Sequence, residues 1–230
     1  MQRNGQVLVF DADDTLWENN VLFERVIHDY LDWLRHPTLD RTQLRAALDD
    51  VQRANAVTHG YGSRMLLRSL GDCVEKLHGR PATGQELAEI EELAAVLVDY
   101  RVELIADVAE TLAVLGDRHT LLMLTKGNLE EQRRKIDGSG LAHHFRAIDI
   151  VEEKDAATYR GFVTAHGLTP ADSWMIGNSP KSDILPARAA GMNAVFIPND
   201  HTWVLEHSEL DPADGAVLHL RAFRELLDHF

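Results

Sequence analysis

The sequence predicts an α/β fold: an open parallel sheet with helices on both faces, interrupted after its first strand by an all-helical insertion. Three observations lead there. Six short apolar runs, Val7–Phe10, Leu121–Leu124, Ala147–Val151, Trp174–Ile176, Ala194–Ile197 and, more weakly, Ala216–Leu220, are mostly continuous in hydrophobicity. Continuous runs are the pattern of strands buried on both faces. Helix-like stretches separate most of them, and such alternation implies crossover connections. Finally, one long interval, residues 18–103, shows helical patterning and no convincing strand.

Size and charge agree with this organisation. At 230 residues the chain exceeds the roughly 150 residues of one average domain, so a domain with a sizeable insertion fits better than two equal halves. Its 45% hydrophobic and 26% charged residues suffice to bury a core, which excludes a disordered tail, a collagen-like chain or a disulfide-stapled miniprotein. The net charge of −14 divides into −5 in the insertion and −9 elsewhere, so no basic surface exists to attract a nucleic acid. Cys73 is the single cysteine and cannot form an intrachain disulfide, which fits a reducing compartment. Neither a secretory leader pattern nor a membrane-length apolar window occurs. The expectation is a cytoplasmic protein with no membrane and no nucleic-acid partner.

Taken in order, the first strand, Val7–Phe10, is broken by Asp11. The insertion reads as helices over 20–35, 41–57, 63–78 and 84–101, with Leu31, Leu34, Leu44, Leu48, Leu66, Leu70, Ile90 and Leu97 at helical spacing. Pro37, Gly60, Gly62, Gly79, Pro81 and Gly84 mark the turns. Beyond it, helices are predicted at Asp107–Asp117, Asn128–Asp137, Asp155–His166 and Asp183–Ala190. Pro186 lies in the first turn of the last one and Gly191 follows its end, the places those residues favour. The domains are therefore 1–17 with 104–230 for the α/β core, and 18–103 for the helical insertion.

Four stretches at or just past strand ends carry candidate chemistry, and ligands of open parallel sheets bind at those ends. The first is Asp11-Ala-Asp13-Asp14-Thr15-Leu-Trp17. Clustered carboxylates beside a buried strand are unfavourable unless something positive compensates. Asp11 and Asp13 point to the same side of an extended chain. A simple turn would also use Asp, with Asp14 or Thr15 capping the next helix. The second is Leu121-Leu-Met-Leu-Thr125-Lys126-Gly127-Asn128, a strand, a hydroxyl and a glycine turn into a helix whose N-terminus could receive an anion or simply be capped. The third is Val151-Glu-Glu-Lys154-Asp155, and the fourth is Trp174-Met-Ile-Gly177-Asn178-Ser-Pro-Lys-Ser-Asp183.

In this order the four stretches resemble the motifs of the haloacid dehalogenase-like (HAD) superfamily, most of whose members are phosphatases. The resemblance covers essentially the whole chain and implies a Rossmann-like core with an inserted helical cap that closes over the site and selects substrate. It implies that Asp11 is a nucleophile forming an aspartyl-phosphate and that Asp13 is the general acid/base. Thr125 would bond the transferred phosphoryl group, with Lys126, Gly127 and Asn128 lining the same pocket. Lys154 would fix the nucleophile and neutralise phosphoryl oxygens, with Lys135 the weaker alternative because it sits within a helix pattern. Mg²⁺ would be held by Asp11, the backbone carbonyl of Asp13, Asn178 and Asp183. Asn178 departs from the pattern, since many relatives have Asp there; one negative charge is lost, although the amide oxygen can still ligate.

The function expected from this resemblance is Mg²⁺-dependent hydrolysis of a small phosphorylated metabolite. A phosphotransferase such as a sugar-phosphate mutase would share the first motif. A haloacid dehalogenase would lack the second acid, so Asp13 and the Mg²⁺ loop argue against it. A binding module with an eroded site is disfavoured by the joint presence of Asp11, Asp13, Thr125, Lys154 and Asp183. In the insertion, Tyr61 and Arg64 of His59-Gly-Tyr-Gly-Ser-Arg64 are candidates to face substrate, although an interhelical turn explains them equally. The stretch Thr202-Trp203-Val-Leu-Glu206-His207 is similar to a C-terminal feature of some HAD phosphatases and receives no chemical role. His143, His144 and His201 lack a metal-site spacing and are read as surface residues.

Overall fold

The computed structural model describes residues 5–97 and 101–230. Strand β1 (Val7–Phe10) leads into helices α1 (Asn20–Trp33), α2 (Arg41–His59), α3 (Ser63–His78) and α4 (Gly84–Leu93). The chain continues through α5 (Val108–Gly116), β2 (Thr120–Lys126), α6 (Leu129–Ser139), β3 (Ala147–Val151), α7 (Ala156–Ala165), β4 (Ser173–Gly177), α8 (Leu185–Ala189), β5 (Asn193–Phe196) and β6 (Val217–His219). It divides into two compact units, Met1–Asn20 with Val102–Phe230, and Val21–Arg101.

The first unit is an open, six-stranded, wholly parallel sheet of order β3-β2-β1-β4-β5-β6. Alternate residues of its central strands supply two cores. Leu8, Phe10, Leu121, Met123, Trp174 and Ile176 pack on one face with Val108, Leu112 and Leu115 of α5. Val9, Leu122, Leu124 and Met175 pack on the other with Tyr159 and Phe162 of α7 and Ala187 of α8. Burial on both faces explains the continuous apolar runs. The third run differs: β3 is an edge strand whose residues are all half-buried, which accommodates Asp149 in its middle. Successive strands are added outward from β1 in both directions, so the switch point lies between β1 and β4, where open α/β sheets bind ligands.

In the second unit Tyr30, Leu48, Leu66, Leu70, Val74 and Ile90 form a separate core. Capping boxes start α2, through Asp40 and Gln43, and α4, through Thr83 and Glu86. The predicted helix over 84–101 is shorter: α4 stops at Leu93, the Ala94 N–H is shared between Ile90 and Glu92 carbonyls, and a 3₁₀ turn, Ala95–Leu97, follows. Residues 98–100 of that prediction lie outside the described residues. The helix expected from Asp183 also differs, because a wide π-type turn, Pro180–Ile184, precedes α8. No helix among the described residues is long and apolar enough to cross a membrane.

Candidate active site

Asp11 follows β1 directly and is buried, at 7% exposed. Its Oδ2 accepts a 3.0 Å hydrogen bond from the Thr15 hydroxyl, which also lies 3.2 Å from Asn178 Oδ1. Thr15 thus joins the nucleophile candidate to the fourth motif. The helix-start position falls instead to Asp14, a left-handed residue whose Oδ1 accepts from the Asn19 and Asn20 N–H groups. Asp13 is more exposed and heavily bonded. Its carboxylate accepts from Trp17 Nε1 at 2.7 Å, Gln132 Nε2 at 3.0 Å and Lys135 Nζ at 2.8 and 2.9 Å.

Thr125 and Lys126 end β2, beside β1 in register. The Thr125 hydroxyl is buried and accepts from Gln132 Nε2 at 2.9 Å, so one amide of α6 spans Thr125 and Asp13. The neighbouring candidates behave differently from a simple pocket lining. Gly127 takes φ +140°, a region open to glycine, and its N–H bonds the Val151 carbonyl. Asn128 Oδ1 caps α6 by accepting from Glu130 and Glu131 N–H, which occupies donors expected for an anion. The Lys126 ammonium bonds Glu206 at 2.7 Å and Ser182 at 2.8 Å.

Lys154 sits at the centre. Its side chain is 1% exposed, and its ammonium donates to Asp11 Oδ1 and, at 2.8 Å, to Asp183 Oδ1. Burial works against this charge, but the two carboxylates outweigh it and raise the Lys154 pKa. Asp11 shows the opposing balance. Burial first, and then the Asp183 charge, push it up to about 7 although Lys154 pulls it down. Asp183 lies across Gly177, where a Cβ would fall 2.2 Å from Asp183 Oδ2, so only glycine permits this approach. The Ser179 N–H holds the same oxygen at 2.9 Å.

The C-terminal stretch left without a role reaches this cluster. Glu206, 8% exposed, accepts from the Ser179 and Ser182 hydroxyls and from Lys126, bracing the loop between Asn178 and Asp183. Burial raises its pKa, but the Lys126 ammonium and the two hydroxyls lower it further than burial raises it. Thr202 bonds the Asn178 amide at 2.9 Å. Thr202 carries no local sequence signal, and for Glu206 the one hint is its place directly after Trp203, Val204 and Leu205. Tyr61, half-buried, and Arg64, exposed, belong to the second unit at the start of α3.

A profile of haloacid dehalogenase-like hydrolases matches residues 6–191, which include all four motifs. The chain belongs to the haloacid dehalogenase-like hydrolase family. A phosphoserine phosphatase of Thermus thermophilus is 32% identical over 180 residues, spanning 76% of this chain and 69% of its own length. Among solved structures, a haloacid dehalogenase-like family hydrolase from Xanthomonas campestris superposes with a TM-score of 0.81 at 26% identity, over 96% of this chain and 92% of that one. A 2-haloacid dehalogenase from Pseudomonas syringae pv. Tomato shares the fold at 19% identity and a TM-score of 0.62, over 97% of both chains.

This HAD hydrolase therefore places two carboxylates, Asp11 and Asp183, on one buried ammonium, with the Asn178 amide oxygen joined to Asp11 through the Thr15 hydroxyl. Among the described residues no three His, Cys, Asp or Glu side chains are gathered as a metal site. The donor set nevertheless suits a hard cation, since Asp11, Asp183 and Asn178 all offer oxygen.

Proposed function

We propose that this HAD hydrolase is a Mg²⁺-dependent phosphatase acting on a small phosphorylated metabolite through an aspartyl-phosphate on Asp11. The observation that carries this reading is the Asp11 carboxylate held by Lys154 and Thr15 at the sheet's switch point, with Asp13 two residues on. An Asp11 oxygen attacks phosphorus as the bond from phosphorus to the ester oxygen breaks, and Asp13 gives that oxygen its proton. Asp13, now ionised, takes a proton from water; the water oxygen attacks the aspartyl-phosphate, releasing inorganic phosphate and restoring Asp11. Lys154 offsets charge on the phosphoryl oxygens. Asp11, the Asp13 carbonyl, Asn178 and Asp183 would hold Mg²⁺, which supplies further positive charge when bound. Phosphoserine, the substrate named for the Thermus relative, is the first compound to try.

The test is hydrolysis of a chromogenic phosphate ester with and without Mg²⁺, followed by a panel of phosphorylated metabolites. Activity should require Mg²⁺ and fall by about 10³-fold or more in Asp11→Asn. Metal-independent turnover, or an Asp11→Asn protein as active as the wild type, would overturn the reading. A sugar phosphate isomerised without phosphate release would favour the mutase alternative.

A further inference from the structure

We propose that Thr202 is a positioning residue that orients the Asn178 amide with its oxygen toward Asp11 and the Mg²⁺ site. The inference rests on the metal-dependent reading above and concerns how this chain tolerates Asn where a carboxylate would be expected. A carboxylate presents oxygen whichever way it turns. An amide presents either an acceptor or a two-hydrogen donor, so a neutral Asn can serve a cation only if its flip is set.

Counting hydrogens decides the flip. Thr202 Oγ1 lies 2.9 Å from the Asn199 carbonyl oxygen, which can only accept, so the single hydroxyl hydrogen is committed there. Thr202 Oγ1 can then only accept from Asn178, 2.9 Å away, and the partner atom must be Nδ2. The amide oxygen is left facing Thr15 Oγ1 at 3.2 Å, where it shares the one hydroxyl hydrogen with Asp11 Oδ2 at 3.0 Å. Asn178 is 6% exposed, so the reversed flip would put its NH₂ toward the metal site and leave its oxygen facing the lone pairs of Thr202. The segment supplying Thr202 is itself anchored: Asn199 Nδ2 donates to the Asp14 carbonyl at 3.2 Å, and the His201 N–H donates to Asn199 Oδ1 at 2.8 Å. Residues 199–202 thus carry the register of the first motif across to the fourth.

The experiment is calorimetric titration of the purified full chain with Mg²⁺ and no substrate, so that binding is read apart from turnover. Melting curves by circular dichroism establish that each variant is folded. Thr202→Val should weaken Mg²⁺ binding by about tenfold or more, the usual effect of losing a partner that orients a ligand. Thr202→Ser keeps the hydroxyl and should bind as the wild type does. In the Asn178→Asp background the carboxylate needs no orientation, and adding Thr202→Val should change affinity by no more than about twofold. Equal weakening in both backgrounds would make Thr202 a merely structural contact and overturn the proposal, as would unchanged binding in Thr202→Val. A folded wild type that takes up no Mg²⁺ would instead overturn the metal-dependent reading first, and this inference with it.

Discussion

The Lys135 ammonium grips both carboxylate oxygens of Asp13, at 2.9 and 2.8 Å, and reaches Asn19 Oδ1 at 2.8 Å as well. Gln132, one helical turn earlier on α6, adds its amide to the same carboxylate. Trp17 closes the third side. The proposed acid/base is therefore fixed from three directions, while the proposed nucleophile, Asp11, meets a different lysine, Lys154, which it shares with Asp183. The two proposed catalytic carboxylates are thus held by different lysines.

Replacing Lys135 by Met should accordingly spare substrate binding and slow turnover. Loss of alignment at Asp13 predicts a kcat lower by about 10²-fold with KM changed little. Steady-state kinetics on the best substrate of the panel measures both. A raised KM at unchanged kcat would assign Lys135 to substrate binding instead.

At Gly177 the expected effect is steric. An added Cβ would sit 2.2 Å from Asp183 Oδ2 and 2.4 Å from its Cγ, and the displaced group would be the carboxylate itself. Gly177→Ala should lower stability by roughly 1–3 kcal/mol, as overpacked sites do, and weaken Mg²⁺ binding in the same protein. Urea denaturation and Mg²⁺ titration read the two effects. Wild-type values in both would show that Asp183 can move away without cost.

Glu206 predicts a pH signature. Its folded pKa lies below the ordinary glutamate value because Lys126 and two hydroxyls favour the charged form despite burial. The ionised group therefore stabilises the fold at neutral pH, and that contribution is lost as the pH falls below about 4. Glu206→Gln should cost about 2 kcal/mol at pH 7, the scale of hydrogen bonds to a charged group. The gap between the two proteins should close on acidification. Melting temperatures across a pH series check this, and a gap constant with pH would refute it.

Much of this was legible in the chain because it is local. Continuous apolar runs mark strands buried on both faces, and the residues just past them stand at the carboxyl edge whatever the strand order. Lys154 follows β3 and could be placed by that rule. Lys135 was harder, since it lies within a helix pattern, and only the packing of α6 against the site shows which way that face turns. The doubly buried reading also missed that β3 is an edge strand with only one neighbour in the sheet.

By itself the sequence determined the six strands, the helical insertion and the four motifs, since hydrophobic periodicity and turn chemistry act over a few residues. Tertiary structure alone decided which polar side chains meet: Lys154 between Asp11 and Asp183, Lys135 on Asp13, Glu206 on the hydroxyl of Ser179 and Thr202 against Asn178. The lysine partners of Asp11 and Asp13 come from far along the chain, and polar pairs of that kind leave no periodic trace. The strand order β3-β2-β1-β4 is what brings them together.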